Sequence, residues 1–357
     1  MAKVGIIIIT MDRSDFLIRQ LRYYAELRSP HPIYIIDSST KETFEKNKKI
    51  IDELKKYISV YYYHYPKEEF SLLQCHKEIR SKVKEKYITF IGDDDYQIPN
   101  SLTKCAEFLE NNPDYSTASG LAVSIRLIEN RIHGSLQRIS DYPRREVLFD
   151  NASQRFVHFM DNYFVNIFSV SRTDLMQEIF SIIPPIKDKS LEQEILPCCL
   201  ITISGKAKLL DCLGFVRQIH DSHYPLPDVF DWLSGINFHE SYLQSRDILA
   251  KAVAKKDGID FSQAQKIVRQ GFWLYSRKSL IKEYDQVFPV PRQIPGKIGL
   301  KTKIGLKFPF LKRVYRATIR PLISNSKQLH YEVLQPNSKY YKDFRPVMDS
   351  FLGKNNY

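Results

Sequence analysis

The chain has 357 residues, of which 43% are hydrophobic and 26% are charged. This length and apolar content exclude a disordered tail or a disulfide-stapled mini-domain, and they suffice for one large or two ordinary domains. The net charge of +12 is local, because residues 286–331 hold ten Lys or Arg residues and no acidic residue, which leaves +2 for the rest of the chain.

The chain contains no apolar run that approaches the roughly 18 residues of a membrane-spanning helix. The apolar run at residues 4–9 is followed by Thr10, Asp12 and Arg13, which is typical of neither a membrane span nor a signal peptide. The five cysteines include no Cys-x-x-Cys pair, so neither a zinc knuckle nor a disulfide framework is indicated. We therefore expect a cytoplasmic protein.

The first third alternates strand-like runs with helical patterns, which is typical of a parallel α/β sheet. Strands are predicted at residues 4–10, 33–36, 60–63 and 87–91, with intervening helices capped at residues 12–15, 37–40 and 71 and a fourth helix capped by Asn100 or Ser101. Further along, strands are predicted at 163–170 and 207–210, and helices at 231–255 and 262–287. The expected domains are an α/β domain at 1–228, a helical extension at 229–288 and a basic C-terminal segment at 289–357.

Acidic residues directly follow three of these strands: Asp12, Asp37 and the run Asp93, Asp94 and Asp95. Because ligands of open parallel sheets bind at the carboxyl ends of the strands, these loops are expected to converge on one edge. The glycine-rich motifs that hold phosphates through backbone amides are absent. A phosphate bound here would therefore need a metal ion.

The run of three aspartates is costly by itself, since adjacent carboxylates repel one another and raise one another's pKa. Mg²⁺ or Mn²⁺ is a common partner of such a loop, because these ions take one or two carboxylates together with substrate phosphate oxygens. A solvated acidic turn explains the run equally well when it is considered alone.

Three segments form a specific combination: residues 6–13 (Ile-Ile-Ile-Ile-Thr-Met-Asp-Arg), residues 35–39 (Ile-Ile-Asp-Ser-Ser), and residues 87–99, in which a proline comes four residues after the last aspartate. In order and spacing they resemble the opening of family-2-type glycosyltransferases with the GT-A fold. The resemblance spans roughly residues 3–223 and implies an α/β fold with a Rossmann-like mixed sheet flanked by helices. It also implies that Thr10, Arg13 and Asp37 hold the nucleoside, although Asp12 stands where Asn is usual.

In that family an Asp-x-Asp motif binds the metal and the sugar-nucleotide diphosphate. Two alignments remain open: aligning Pro99 puts Gly92 at the first aspartate, whereas residues 93–95 themselves read Asp-x-Asp. The second alignment implies Asp93 and Asp95 as metal ligands, with Asp95 the direct one, and Asp93 and Asp94 as nucleotide-sugar contacts. The implied cofactor is Mn²⁺ or Mg²⁺.

A second match to the family begins at residue 191. Residues 191–196 followed by Gly205 resemble the helix and glycine turn that carry the catalytic base of inverting members, and Glu194 lies eleven residues before that glycine. Glu192 is the nearby alternative. A carboxylate near a helix N-terminus is held ionised by the positive end of the dipole, so that it is able to accept a proton from an acceptor hydroxyl. An exposed helix cap is the structural alternative.

Two further groups of residues follow from composition and from the resemblance. GT-A enzymes often place a histidine near the end of the catalytic domain on the metal or the diphosphate, which implies that role for His220 in the His220–His223 pair, and Arg217 is expected to pair with phosphate. A structural or exposed pair of histidines is the alternative. The tyrosines at 61–63 and 65 resemble a stacking surface for bases or sugars. Core packing is the favoured account, because aromatic residues favour strands.

The resemblance as a whole implies a metal-dependent hexosyltransferase that moves a sugar from a nucleotide-diphosphate sugar to an acceptor hydroxyl with inversion, in polysaccharide or glycoconjugate biosynthesis. The expected acceptor is a glycan or a lipid-linked molecule. The interleaved basic and apolar residues of 290–330 favour peripheral contact with an anionic membrane surface. Two alternatives stay open: a nucleotidyltransferase of similar fold, and a nucleic-acid-binding protein using the basic segment, which the local distribution of charge disfavours.

Overall fold

The computed structural model describes residues 2–128, 132–221, 228–287 and 328–354. Within these ranges the strands are β1 Val4–Thr10, β2 Ile33–Asp37, β3 Val60–His64, β4 Tyr87–Gly92, β5 Tyr96–Gln97, β6 Tyr115–Leu127, β7 Leu136–Tyr142, β8 Val170–Arg172 and β9 Lys206–Gln218. They form one mixed sheet in the order β3-β2-β1-β4-β8-β6-β9-β5, and β7 pairs with β6.

Helices cover both faces of this sheet. They are α1 Ser14–Glu26, α2 Lys41–Leu54, α3 Leu72–Arg80, α4 Pro99–Asn111, α5 Ala152–Asp161, α6 Thr173–Ile182, α7 Leu196–Ser204, α8 Val229–Ser234, α9 Phe238–Asp257, α10 Phe261–Val287, α11 Leu329–Glu332 and α12 Tyr341–Phe351, with a π-helical turn at Leu191–Ile195 before α7. None of the described helices combines the length and hydropathy that a membrane span requires.

The first four strands follow the sequence prediction and position the acidic loops. β1 pairs in parallel with β2 and β4, and β2 pairs in parallel with β3. In this register Thr10 lies opposite Asp37, and Ile9 lies opposite Gly92. The turns after β1, β2 and β4 therefore meet at one edge of the sheet, as expected for parallel strands.

The second half of the sheet departs from the prediction. The prediction of a strand at 163–170 is wrong, because only the short β8 forms in this region. The strand predicted at 207–210 is part of the 13-residue β9. β6, which the sequence did not indicate, pairs in parallel with β9 through several register shifts. Gly120 and Gly214 permit this pairing, since a Cβ on Gly120 would lie 2.8 Å from the Cα of Gly214.

Apolar clusters fill the space on either side of the sheet. One lies under α1, α2, α4 and α12, and includes Phe344 and Phe351. The other lies under α3, α5, α6, α7, α9 and α10, and includes Phe156, Leu249 and Val268. The helices predicted as an extension after residue 228 therefore share a core with the α/β part of the chain. The basic residues 288–327 lie outside the described residues.

Candidate active site

The turn after β1 is tied to the turn after β2. Asp12 adopts a positive φ of 53°, its backbone N–H donates to Ser39 Oγ at 2.7 Å, and its Oδ1 accepts from the N–H of Thr40 at 3.1 Å. The predicted side-chain cap of α1 is absent, since Arg13 holds the cap position without a capping side-chain bond. Asp12 thus joins two loops, and Arg13 is directed toward the loop after β4.

The three aspartates after β4 are buried, with 2%, 5% and 4% of their surfaces exposed. Each accepts a hydrogen bond from a different donor group. Asp93 Oδ2 accepts from Thr10 Oγ1 at 2.7 Å, Asp94 Oδ2 accepts from Arg13 Nη2 at 2.8 Å, and Asp95 Oδ1 accepts from the backbone N–H of Gln218 at 2.9 Å. The run is therefore a folded, hydrogen-bonded loop and not a solvated acidic turn.

Arginines supply the counter-charge to this run. Burial raises the pKa of Asp93 and, strongly, that of Asp95, whereas Arg13 lowers the pKa of Asp93 and Arg217 lowers that of Asp95. A third arginine, Arg19, donates to the backbone carbonyl of Asp94 at 3.0 Å. Repulsion from Asp94 also raises the pKa of both neighbours, and the net shift of each is upward, so the arginines offset only part of the charge of the run.

Arg217 interacts electrostatically with Asp95 of this run and forms a hydrogen bond with Tyr142. Its Nη1 donates to the hydroxyl of Tyr142 at 3.0 Å. Burial lowers the pKa of Arg217, but Asp95 and Tyr142 raise it, and the net shift is upward. Its predicted contact with phosphate stays a prediction.

His220 forms a cluster with Asp94 and Arg13. Its Nε2 lies 2.9 Å from Asp94 Oδ2 and 3.1 Å from Arg13 Nη2, and its ring stacks on Phe16. The aspartate beside His220 is therefore Asp94, and not Asp95, whose carboxylate is turned toward the backbone of β9. His223 lies outside the described residues.

The distance between Asp94 and His220 can be compared with the distance between two ligands of one divalent cation. Asp94 Oδ2 and His220 Nε2 are 2.9 Å apart, close to the separation of about 3 Å between adjacent ligands of an octahedral ion with bonds of about 2.1 Å. Among the described residues no three His, Cys, Asp or Glu side chains converge as a ready metal site. The pair therefore fits an ion that takes its remaining ligands from a bound diphosphate, with Asp94 in place of the predicted Asp95.

Gly92 lies close to the side chain of Asp94. A Cβ at this position would lie 2.7 Å from Asp94 Oδ1. The carboxylate of Asp94 therefore fills the space that an aspartate side chain at position 92 would need. Glycine is the residue that leaves this space open.

Asp37 is fully buried, and its carboxylate accepts hydrogen bonds from three groups of the protein. It accepts from the backbone N–H of Ser39 at 2.8 Å, from Asn47 Nδ2 at 3.5 Å and from the hydroxyl of Tyr62. Tyr62 also stacks on Phe44. The core packing favoured for the tyrosines from the sequence holds fully for Tyr65 alone, since Tyr62 and Tyr63 are half-buried and Tyr61 is exposed. Tyr62 and Asn47 fix Asp37, and no sequence motif marks either of them.

The two candidate bases have different surroundings. Glu192 is 1% exposed and holds its own loop, since its Oε1 accepts from the N–H of Ile186 at 2.8 Å and its Oε2 pairs with Lys189 Nζ at 2.9 Å. Glu194 Oε1 accepts from the hydroxyl of Tyr163 at 3.0 Å. Of the two, Glu194 lines a cavity of about 470 Å³.

This cavity connects the base candidate with the end of β4. Gly92, directly before the aspartate run, lines this cavity, as do Trp232 of α8 and Tyr275 of α10. Burial raises the pKa of Glu194, although Tyr163 and Arg217 lower it. The net shift is upward, and an elevated pKa suits a base that works near neutral pH.

Comparisons with known proteins support the fold. By sequence, the chain matches no protein-family model and no curated protein. By structure, it resembles TarS 1–349 of S. aureus in complex with UDP-GlcNAc, with a TM-score of 0.52 and 14% identity over 99% of this chain and 93% of that chain. A longer S. aureus TarS structure gives a TM-score of 0.50 and 14% identity over 98% of this chain and 55% of that chain. TarS is a GT-A fold glycosyltransferase, and the chain described here has that fold.

Proposed function

We propose that the protein is a glycosyltransferase that uses a nucleotide-diphosphate sugar. The observation that carries this proposal is that the end of β4 takes part in both an ionic cluster and a cavity. Asp94, two residues after Gly92, contacts Arg13 and His220, and Gly92 itself lines the cavity that contains Glu194. The GT-A fold, shared with a glycosyltransferase whose complexes contain UDP-GlcNAc and UDP, supports it.

The donor would bind along the turns after β1, β2 and β4. Thr10 and Arg13 would hold the nucleoside and its phosphates, Asp93 would orient Thr10, and Asp94 and His220 would hold Mn²⁺ or Mg²⁺. The predicted contact of Asp37 with the nucleoside would require the nucleoside to replace one of its protein donors. When bound, such an ion would stabilise the charge that develops on the departing diphosphate. UDP is the first nucleotide to test, because it is present in the TarS complexes.

The acceptor hydroxyl would enter the cavity beside Glu194. Glu194 would take the hydroxyl proton while that oxygen forms a bond to the anomeric carbon and the bond from this carbon to the diphosphate oxygen breaks. Attack opposite the leaving diphosphate inverts the anomeric centre. We propose a hexosyl donor and a glycan or lipid-linked acceptor, in polysaccharide or glycoconjugate synthesis in the cytoplasm.

The two alternative functions have less support. Nucleotidyl transfer expects free backbone amides after β1 to hold a triphosphate, whereas the N–H of Asp12 is occupied by Ser39. The membrane and nucleic-acid contacts predicted for residues 290–330 fall almost entirely outside the described residues, and both stay predictions.

A thermal-shift panel of UDP, GDP and CDP, each with and without Mn²⁺, tests the donor site. We expect one nucleotide to raise the melting temperature only when Mn²⁺ is present, because a ligand that binds the native state alone stabilises it. Asp94→Asn should remove the shift. Asp52→Asn, at an exposed carboxylate on α2 that pairs with Lys48, should leave it unchanged. If no nucleotide stabilises the wild-type protein under either condition, the proposed function is wrong.

The pH dependence of transfer tests the role of Glu194. Its pKa is raised from 4.5, and the ionised form is the base, so kcat/KM should fall as the pH drops through that raised pKa. Tyr163→Phe removes a hydrogen bond that lowers the pKa of Glu194, and we expect it to move the acidic limb of the profile to higher pH. An acidic limb at the same pH in both proteins would argue against Glu194 as the titrating group.

A further inference from the structure

Arg13 occupies the centre of the cluster in which a divalent cation is proposed. Its Nη2 lies 3.3 Å from Asp93 Oδ1, 2.8 Å from Asp94 Oδ2 and 3.1 Å from His220 Nε2. The guanidinium therefore contacts the same carboxylate oxygen and the same ring nitrogen that the ion would use. These two atoms have room for one cation at a time.

The contacts of His220 within this cluster compete with one another. A neutral imidazole nitrogen either donates or accepts a hydrogen bond. Nε2 therefore cannot donate to Asp94 Oδ2 at 2.9 Å and accept from Arg13 Nη2 at 3.1 Å in the same tautomer. A metal ion resolves the competition, because it accepts lone pairs from the nitrogen and the carboxylate oxygen together.

Arg13 is not fully enclosed by the cluster. Its side chain is 28% exposed, and its Nε is buried without a hydrogen-bond partner among the described residues. The guanidinium lies over the ring of Phe16, 4.5 Å from the ring centroid. A divalent ion at Asp94 and His220 would repel the guanidinium at contact distance, and a diphosphate would offer it bidentate oxygen partners.

We propose that Arg13 is an exchangeable counter-ion, which pairs with Asp94 and His220 in the ligand-free protein and moves to the donor diphosphate when a divalent cation takes those two groups. This inference rests on the proposed function, which supplies the diphosphate. It predicts cooperative binding of cation and nucleotide, because the diphosphate draws Arg13 away from the cation's ligands and the cation releases Arg13 to the diphosphate.

The exchange is tested by titrating Mn²⁺ against the whole chain without nucleotide and following free Mn²⁺ by electron paramagnetic resonance. Arg13→Met should bind Mn²⁺ at least about tenfold more tightly than wild type, since a positive charge has left the site. Arg22→Met, which removes an exposed arginine from the same helix, is the matched control and should resemble wild type. Adding His220→Ala to Arg13→Met should abolish the gain.

A second titration in the presence of UDP measures the cooperativity. We expect UDP to tighten Mn²⁺ binding in the wild type and in Arg22→Met, and to do so several-fold less in Arg13→Met. An Mn²⁺ affinity in Arg13→Met no higher than in Arg22→Met, with nucleotide stabilisation intact, would overturn the exchange alone. If nucleotides stabilise none of these proteins but Arg13→Met still binds Mn²⁺ more tightly than wild type, the proposed function is wrong. The competition between Arg13 and the cation would then still hold.

Discussion

Replacing Glu194 by Gln is expected to reduce kcat for sugar transfer by about 10²- to 10⁴-fold, the usual contribution of a general base. The amide has nearly the same shape and still accepts a hydrogen bond from Tyr163, which lies 3.0 Å from Oε1 in the native protein, but it cannot take a proton. Because the donor cluster belongs to other residues, the nucleotide-dependent thermal shift should stay at its wild-type size.

Glu192→Gln is the matched control for this prediction. Its carboxylate binds Ile186 N–H and Lys189 Nζ, so the change should lower the free energy of unfolding by about 1–3 kcal/mol and leave kcat within a few-fold of wild type. Rates measured at saturating donor and acceptor make the comparison. Full turnover in Glu194→Gln, or a large loss confined to Glu192→Gln, would transfer the base role away from Glu194.

The part of the fold that could be predicted is the part whose signals are local. β1 and β4 are nearly continuous apolar runs that end in charged turns, which is the pattern of a buried parallel strand. β6 carries Ser, Thr and Gly at many of its positions, and its strand conformation depends on pairing with β9. That pairing joins segments about ninety residues apart, and no short window of sequence contains it.

The site likewise has features that local sequence predicts and features that depend on the tertiary structure. The order of Thr10, Arg13 and the aspartate run along the first strands was sufficient to predict that they meet. The choice between Asp94 and Asp95 was not available from the sequence, because it depends on how the loop turns into β5 and on the N–H that β9 presents at Gln218. Glu194 was separated from Glu192 by their surroundings, the cavity wall in one case and the Ile186 and Lys189 contacts in the other.

Arg19 is the site residue that the sequence least indicated. It is 3% exposed and supports the aspartate loop by donating to the carbonyl of Asp94 at 3.0 Å and to Gln218 Oε1 at 2.8 Å. Its guanidinium lies 4.9 Å from the ring centroid of Phe351 and 5.4 Å from that of Tyr96. Helix α12 therefore forms part of the support of the aspartate loop at the proposed donor site, a relation between residues more than three hundred positions apart.

Phe351→Ala is expected to destabilise the protein by about 3–5 kcal/mol, as for other buried phenylalanines, and also to weaken binding of nucleotide with Mn²⁺ several-fold. The second effect follows because the ring packs against Arg19 and against Tyr96, and a loosened Arg19 no longer fixes the carbonyl of Asp94. Urea denaturation measures the first effect, and calorimetric titration at a temperature where the variant is folded measures the second.

Phe344→Ala is the control that separates the loss of packing by α12 from the loss of Arg19 positioning. Phe344 is 1% exposed, lies two turns earlier on α12 and belongs to the same apolar cluster, so its loss should cost a similar free energy of unfolding. It should leave nucleotide affinity near the wild-type value. If both variants bind nucleotide as the wild type does, α12 contributes only stability, and Arg19 keeps its position without the Phe351 ring. A selective loss in Phe351→Ala would instead show that the donor loop is held from the far end of the chain.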